Sequence, residues 1–305
     1  MPASSGKPKN LFTIPAGLYR KEKGFRSLLR GTAWFQIALL GLIFLTLVYN
    51  AWPAMQEFGF SFLWRTEWNV VTNEYNVWPF LVGTLLSSFL ALLIALPFAL
   101  AVALFLGEYY PGGRLSNVLR QMVDLLAGIP SVVYGLWGLF VLVPLVRSWQ
   151  LSLGVMPWGV GIFTASLVLA IMITPYAAAL AREVMLLVPR DLREAAYALG
   201  ATRLEVIWHV IIPYTRSGIF AGVLLALGRA LGETMAVTMV IGNSNYVPES
   251  IFSPANTMAS LIANEFNEAT NTLNVAALIE VALVLLIISW LINLLGKWLI
   301  TRVSH

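Results

Sequence analysis

Asp191-Leu-Arg-Glu194-Ala-Ala-Tyr-Ala-Leu-Gly200-Ala-Thr202-Arg-Leu-Glu205-Val-Ile-Trp-His-Val210-Ile-Ile212-Pro213 lies between two apolar runs, and its reading decides the rest of the chain. It predicts two short helices joined at a glycine. Asp191 with Glu194, and Thr202 with Glu205, each have the spacing of a capping box, in which two side chains satisfy unpaired N–H groups of a first helical turn. Gly200 can adopt positive φ and so end the first helix. Pro213 lacks an N–H and constrains its predecessor, which marks the place where the second helix gives way. A helix pair of this polarity in so apolar a chain needs a reason, and docking onto a soluble partner supplies one.

The chain of 305 residues is 59% hydrophobic and only 11% charged, where soluble domains carry about a quarter charged residues. A spanning helix needs about 20 apolar residues. Six segments qualify: 32–52, 78–106, 125–146, 159–187, 217–241 and 275–300. Pro130, Pro144 and Pro175 fall within the third and fourth, where kinks are expected. The fold class is therefore an all-α, six-span membrane protein.

Its charges sort by side. Lys7, Lys9, Arg20, Lys21, Lys23, Arg26 and Arg30 precede the first span; Arg114, Arg120, Arg182, Arg190, Arg193, Arg203, Lys297 and Arg302 fall in alternate loops and the tail. The loop 52–77 has Arg65 against Glu57, Glu67 and Glu74, and the loop 243–274 has Glu249, Glu265 and Glu268 with no Lys or Arg. The positive-inside rule then makes both termini cytoplasmic, against which Arg147 in a short outer loop is the one exception. Trp52, Trp64, Trp68, Trp78, Trp149 and Trp158 read as an aromatic belt at the outer interface.

Residues 1–31 read as a basic tail meeting lipid headgroups, and 32–305 as the membrane domain. The first apolar run is too long for a cleaved signal core and reads as an anchor. The net charge of +4, distributed by side, gives no reason to expect nucleic acid as a partner. With no cysteine and only His209 and His305, disulfides and a histidine-based metal centre are not expected. There is no G-x-x-x-x-G-K-[ST] phosphate loop, H-E-x-x-H or G-x-S-x-G. If nucleotide drives this protein, another chain binds it. No internal repeat marks an inverted-repeat carrier.

Charge inside a span is costly and marks a functional site by default. Arg229 and Glu233, in Gly228-Arg-Ala-Leu-Gly-Glu233-Thr234, are expected on one face of the fifth span. There Arg229 offers several donors to an oxyanion, and Glu233 can accept a hydrogen bond from a protonated one. The competing reading is a structural ion pair. Gly228 and Gly232 are expected to admit a neighbouring backbone. Glu280 lies inside the sixth span without a local partner, either protonated or paired across helices; Asp124 reads as a helix-terminus residue. Gly128-Ile-Pro130-Ser131-Val-Val-Tyr134-Gly135 is a break at which Ser131 is a candidate lining residue.

These residues carry a resemblance. Glu194-Ala195-Ala196, Gly200 and Val210-Ile-Ile212-Pro213 resemble the EAA loop of type I ABC-importer permeases, EAA-x3-G-x9-I-x-L-P, with Val210 for Ile and Ile212 for Leu. The stretches 128–135 and 228–243 are similar to those of phosphate-importer permeases, of the PstC type rather than the sister PstA type. The resemblance covers about residues 30–300. It implies coupling helices at 190–213 that fit a groove on an ATPase subunit. It implies as partners a PstA-type sister permease, two PstB-type ATPases that use ATP and Mg, and an extracytoplasmic PstS-type phosphate-binding protein. It implies further that Arg229 and Glu233 take part in phosphate passage, that this chain binds no cofactor, and that it is a multi-pass protein of the bacterial cytoplasmic membrane. Alternatives are a permease for sulfate or molybdate, the sister subunit, a stand-alone channel or ion-coupled carrier, and a membrane enzyme, for which only the Arg229/Glu233 site offers candidate groups.

Overall fold

The computed structural model describes residues 16–303, and among these the chain is helical with no strand. The helices are α1 (Ala16–Phe58), α2 (Trp78–Tyr109), α3 (Arg114–Gly128), α4 (Ser131–Ser152), α5 (Ile162–Leu186), α6 (Arg190–Ala198), α7 (Arg203–Leu231), α8 (Met235–Val240), α9 (Met258–Glu265) and α10 (Thr272–Val303). Six of them, α1, α2, α4, α5, α7 and α10, are long and apolar enough to cross a bilayer. The chain divides into two compact units, residues 1–49 and 50–305. Of the expected tail, residues 1–15 lie outside the described residues and 16–31 are already helical. The first unit is the body of α1, whose large apolar side chains, such as Trp34 and Phe35, are exposed.

The second unit is built on small residues at four-residue spacing. Ala91, Ala95, Ala99 and Ala103 line one face of α2 and are all but fully buried. Such a stripe lets two backbones approach closely, which is how helices gain dispersion energy in lipid. α5 is the partner and the most enclosed of the six spans. Ser166 Oγ donates to Ser87 O across the pair at 3.1 Å. Against the other side of α5 packs α7, where a Cβ on Gly218 would overlap the Val184 side chain. α10 then packs on α7.

Pro53, Pro97, Pro144, Pro175 and Pro213 all sit inside spans without ending them, and before two of them the helix widens. A π-helical turn, Gly138–Leu142, precedes Pro144, and another, Ile207–Ile211, precedes Pro213. A widened turn absorbs both the missing N–H and the ring's clash with the carbonyl four residues back. Pro213 therefore does not mark the end of a second short helix: α7 continues from Arg203 to Leu231. The third span also differs from expectation. Residues 125–128 belong to the separate amphipathic helix α3, and the span starts at Ser131. Asp124 lies within α3, 4.0 Å from Arg120, and Arg147 lies in α4, donating to Trp158 O at 3.4 Å.

At the end of the spans where acidic residues collect, the long connections fold inward. Trp68 is buried, and its Nε1 donates to Glu265 at 2.8 Å, so it is a core residue and not part of an interfacial belt. Ala255 to Leu261, expected in an exposed loop, are buried as well. Asn245 donates to Glu265 and Asn256 donates to Asn245. Met258 N donates to Thr84 Oγ1 at 3.0 Å, and Asn256 O lies where a Cβ on Gly83 would be. Between α1 and α2 a tight turn pairs Asn69 with Glu74. There the protonated Glu67 carboxyl hydrogen-bonds Glu74 and the Glu74 charge repels it, so Glu67 titrates above the usual carboxylate range.

Two outcomes follow. Gly83→Ala overpacks the Asn256 contact and should cost about 1–3 kcal/mol, with faster hydrogen exchange at residues 255–261; unchanged exchange there would contradict the packing. Because the folded pKa of Glu67 is raised, the turn is favoured at low pH and loses that favour as pH rises through it. Glu74→Gln should return the Glu67 midpoint, followed by carboxyl NMR, towards the ordinary value.

Candidate functional site

The break at Ile129-Pro130 frees carbonyls at the C-terminal end of α3. Both residues are extended, with ψ of 130° and 139°. Two tyrosines from other turns take up the loose carbonyls. Tyr134 Oη donates to Leu126 O at 2.7 Å, and Tyr176 Oη donates to Ala127 O at 2.6 Å. A polar group left unpaired away from water costs about 1–3 kcal/mol, so both bonds hold the break in shape.

On the face of Tyr176 lies Arg229, its guanidinium carbon 4.3 Å from the ring centroid. Its Nε is buried without a hydrogen-bond partner among the described residues. Arg229 sits in the last turn of α7, where a cation suits the helix dipole. The helix stops at Gly232, so Arg229 and Glu233 do not share a face. Glu233 lies past the helix end, half-buried, and its Oε1 accepts from Ala236 N at 3.4 Å in the first turn of α8. The two form no ion pair among the described residues; a helix end intervenes, which the unbroken apolar run of the sequence hides. Nor does a neighbouring backbone approach Gly228, around which space is open.

The second break packs on the first. A Cβ on Gly135 of α4 would lie 2.7 Å from Met239 Sδ and 3.0 Å from Ala236 Cα of α8. Ser131, half-buried in the first turn of α4, is thus one turn before the contact between the two broken helices. Tyr176 and Tyr134 escaped the sequence reading; a tyrosine directly after Pro175 in mid-span was the available signal for the first. The site offers a guanidinium with a spare donor, a carboxylate at a helix end and two tyrosine rings beside flexible backbone.

The second site is the polar segment between α5 and α7. Gly200 has φ +87°, as its place at the turn requires. Thr202 and Glu205 form a complete capping box. Asp191 does not cap: α6 begins one residue earlier, after Pro189, with no side-chain cap. Ala196, Val210 and Ile212 turn inward against a buried cluster of Ala103, Met185, Val206 and Ile211. Glu194, Ala195, Gly200 and Pro213 are exposed, and so are Leu192, Leu199 and Trp208, with Leu199 90% accessible.

Two arginines fasten this segment to the end of α2. Arg193 Nη1 lies 3.2 Å from Glu108 Oε2, both largely buried, while Arg193 Nη2 donates to Met185 O at 2.7 Å. Arg203 donates to Glu108 O at 2.5 Å and stacks 4.4 Å above the Tyr109 ring. α6, the start of α7 and the end of α2 are thereby tied to one another. Removing one member of a buried pair strands the other charge, at a cost of about 3–5 kcal/mol. Arg193→Ala should lower denaturant stability by that order, and Arg193→Ala with Glu108→Ala by less than the sum of the single changes. Additive losses would contradict the coupling.

Residues 95–305 match the family described as binding-protein-dependent transport system inner membrane component. A phosphate transport system permease protein PstC of Pasteurella multocida is 46% identical over 92% of both chains. A probable PstC of Methanocaldococcus jannaschii is 34% identical over 93% of this chain and all of its own. Among solved structures, a bacterial alginate ABC transporter in complex with its periplasmic protein aligns over 95% of this chain and 97% of its own, at 17% identity and a TM-score of 0.61. An inward-facing MetNI methionine ABC transporter aligns over 75% and 94%, at 20% identity and 0.56. The six spans, the break-to-break packing and the paired surface helices thus occur in a chain that belongs to the binding-protein-dependent inner membrane components of ABC importers, in their PstC-type branch.

Proposed function

We propose that this chain is one of two membrane-spanning subunits of an ATP-driven importer of inorganic phosphate. The observation that carries the reading is Arg229, a membrane-depth guanidinium with an unpartnered Nε at the junction of two broken helices, in a chain whose relatives are named phosphate permeases. Phosphate would take Arg229 donors in place of water, while Glu233 accepts from the anion's own hydroxyl. Sulfate has no such proton at neutral pH and would meet the carboxylate unprotected, which gives the pair a basis for discrimination.

The basic end of the spans is the cytoplasmic end, and the membrane is the bacterial cytoplasmic membrane. The exposed part of 190–213 docks an ATPase, with Glu194, Ala195 and Leu199 facing the partner and Ala196, Val210 and Ile212 holding the segment to the body. Mg and ATP belong to that partner, of the PstB type, and this chain contributes no catalytic group and no cofactor. A PstA-type permease completes the path, and a PstS-type protein delivers phosphate at the acidic end. Closure of the ATPases would move α6, α7 and the tip of α2 together through Arg193 and Arg203. At the far end of α7 that motion reaches Arg229 and the break at Gly232, and so opens or closes access to the anion.

Radiolabelled uptake tests substrate and path together. Arg229→Gln should cut phosphate uptake at least about tenfold, the loss of one charge-assisted contact, with the complex still assembled; normal uptake would remove Arg229 from the path, and sulfate-only uptake would overturn the substrate. Gly200→Pro cannot adopt positive φ and should uncouple ATP hydrolysis from uptake. Coupled transport by that variant would count against the docking role.

A further inference from the structure

Glu280 lies in the third turn of the sixth span, outside the path described above. It is 95% buried by its own 5% accessibility, and its Oε2 has no hydrogen-bond partner among the described residues. It lines a cavity of about 830 Å³ between α10, the last turns of α1 and the first turns of α2. Buried carboxylates are kept where they are paired or where a ligand pairs them.

The cavity is ordered from polar to apolar. At the acidic end of the spans it is rimmed by Trp52, Trp64 and Trp78, residues suited to the headgroup level of a bilayer. Glu280 comes next, about 12 Å along α10 from its start at Thr272, and Gln56 is the other polar side chain in the wall. Beyond Glu280 the wall is Leu283, Ile287 and Leu291, a strip about 16 Å long towards the basic end. A polar station near the interface, continued by an apolar furrow into the membrane, is the outline of one lipid molecule.

The charges nearby select its headgroup. The connections at this end carry Glu57, Glu67, Glu74, Glu249, Glu265 and Glu268 against Arg65, with Arg147 of α4 the other cation there, held at Trp158 O. An anionic headgroup is repelled there, and a primary ammonium is attracted and brings the donors that Glu280 lacks. The geometry points to a structural site for an aminophospholipid of the phosphatidylethanolamine class, its ammonium at Glu280 and an acyl chain along α10. The site lies within the 50–305 unit and is independent of the transported anion.

The test uses the full permease complex in nanodiscs made of equal parts phosphatidylethanolamine and phosphatidylglycerol. Native mass spectrometry should find the ethanolamine lipid enriched about tenfold in the retained fraction, the ratio expected for one charge-assisted contact. Glu280→Leu should abolish the preference, and Val284→Trp, which fills the furrow, should abolish retention of either lipid. A photoreactive residue at Ile287 in otherwise unaltered protein should give lipid adducts. Retained lipid of bulk composition in the unaltered complex, or adducts formed with a polypeptide instead of lipid, would overturn the proposal, whether or not the substituted variants fold.

Discussion

Inside a bilayer the backbone has no water to bond with, so every break in a helix must be closed by the protein itself. This chain interrupts its helices at two places and closes each in a different way. At Ile129-Pro130 the freed carbonyls of Leu126 and Ala127 accept from Tyr134 and Tyr176. Beyond Gly232 one free N–H of α8, that of Ala236, donates to the Glu233 carboxylate. Tyr176 serves twice, since its hydroxyl closes one break and its face carries the guanidinium beside the other. Arg229 is thereby held in a defined place by a ring and not by an ion pair, and its Nε stays unpartnered among the described residues.

The same economy runs through the other end of α7. The turn at Gly200 and the capping box at Thr202 make the surface helix pair self-sufficient, and the inward side chains attach it to α2 and α5. What remains outside sets apolar side chains, with Leu199 as the extreme, among charged ones such as Asp191 and Glu194. A surface of that kind in a membrane protein's polar segment fits a protein partner better than headgroups. α7 is continuous from Arg203 to Leu231, so one rod links the surface helix pair to the turn that carries Arg229. The π turn at Ile207–Ile211 is what keeps that rod unbroken across Pro213.

Much of this was legible in the residues. Apolar run length was enough for six spans, because burial of the backbone leaves few other solutions. Gly200 and the Thr202–Glu205 box announced the turn correctly, being local devices whose chemistry lies within four residues. Reasoning failed where a distant partner decides the outcome. Pro213 seemed to end a helix because a π turn leaves no mark in composition. Arg229 and Glu233 were expected on one helix face, but i and i+4 spacing does that only in unbroken helix, and Gly232 breaks it. Trp68 seemed interfacial, yet Glu265, far along the chain, takes its N–H into the core. The capping-box pattern at Asp191 failed by two residues, since the N-cap is Pro189.

The central claim is that Arg229 meets the transported anion directly. A solid-state 31P–15N distance measurement tests it most closely, on the assembled complex with 15N-labelled arginine and phosphate held by a trapped ATPase. The account predicts a coupling that corresponds to hydrogen-bonded nitrogen, about 3 Å from a phosphate oxygen, and that disappears in Arg229→Lys. A coupling that persists in that variant, with phosphate held elsewhere, would contradict it.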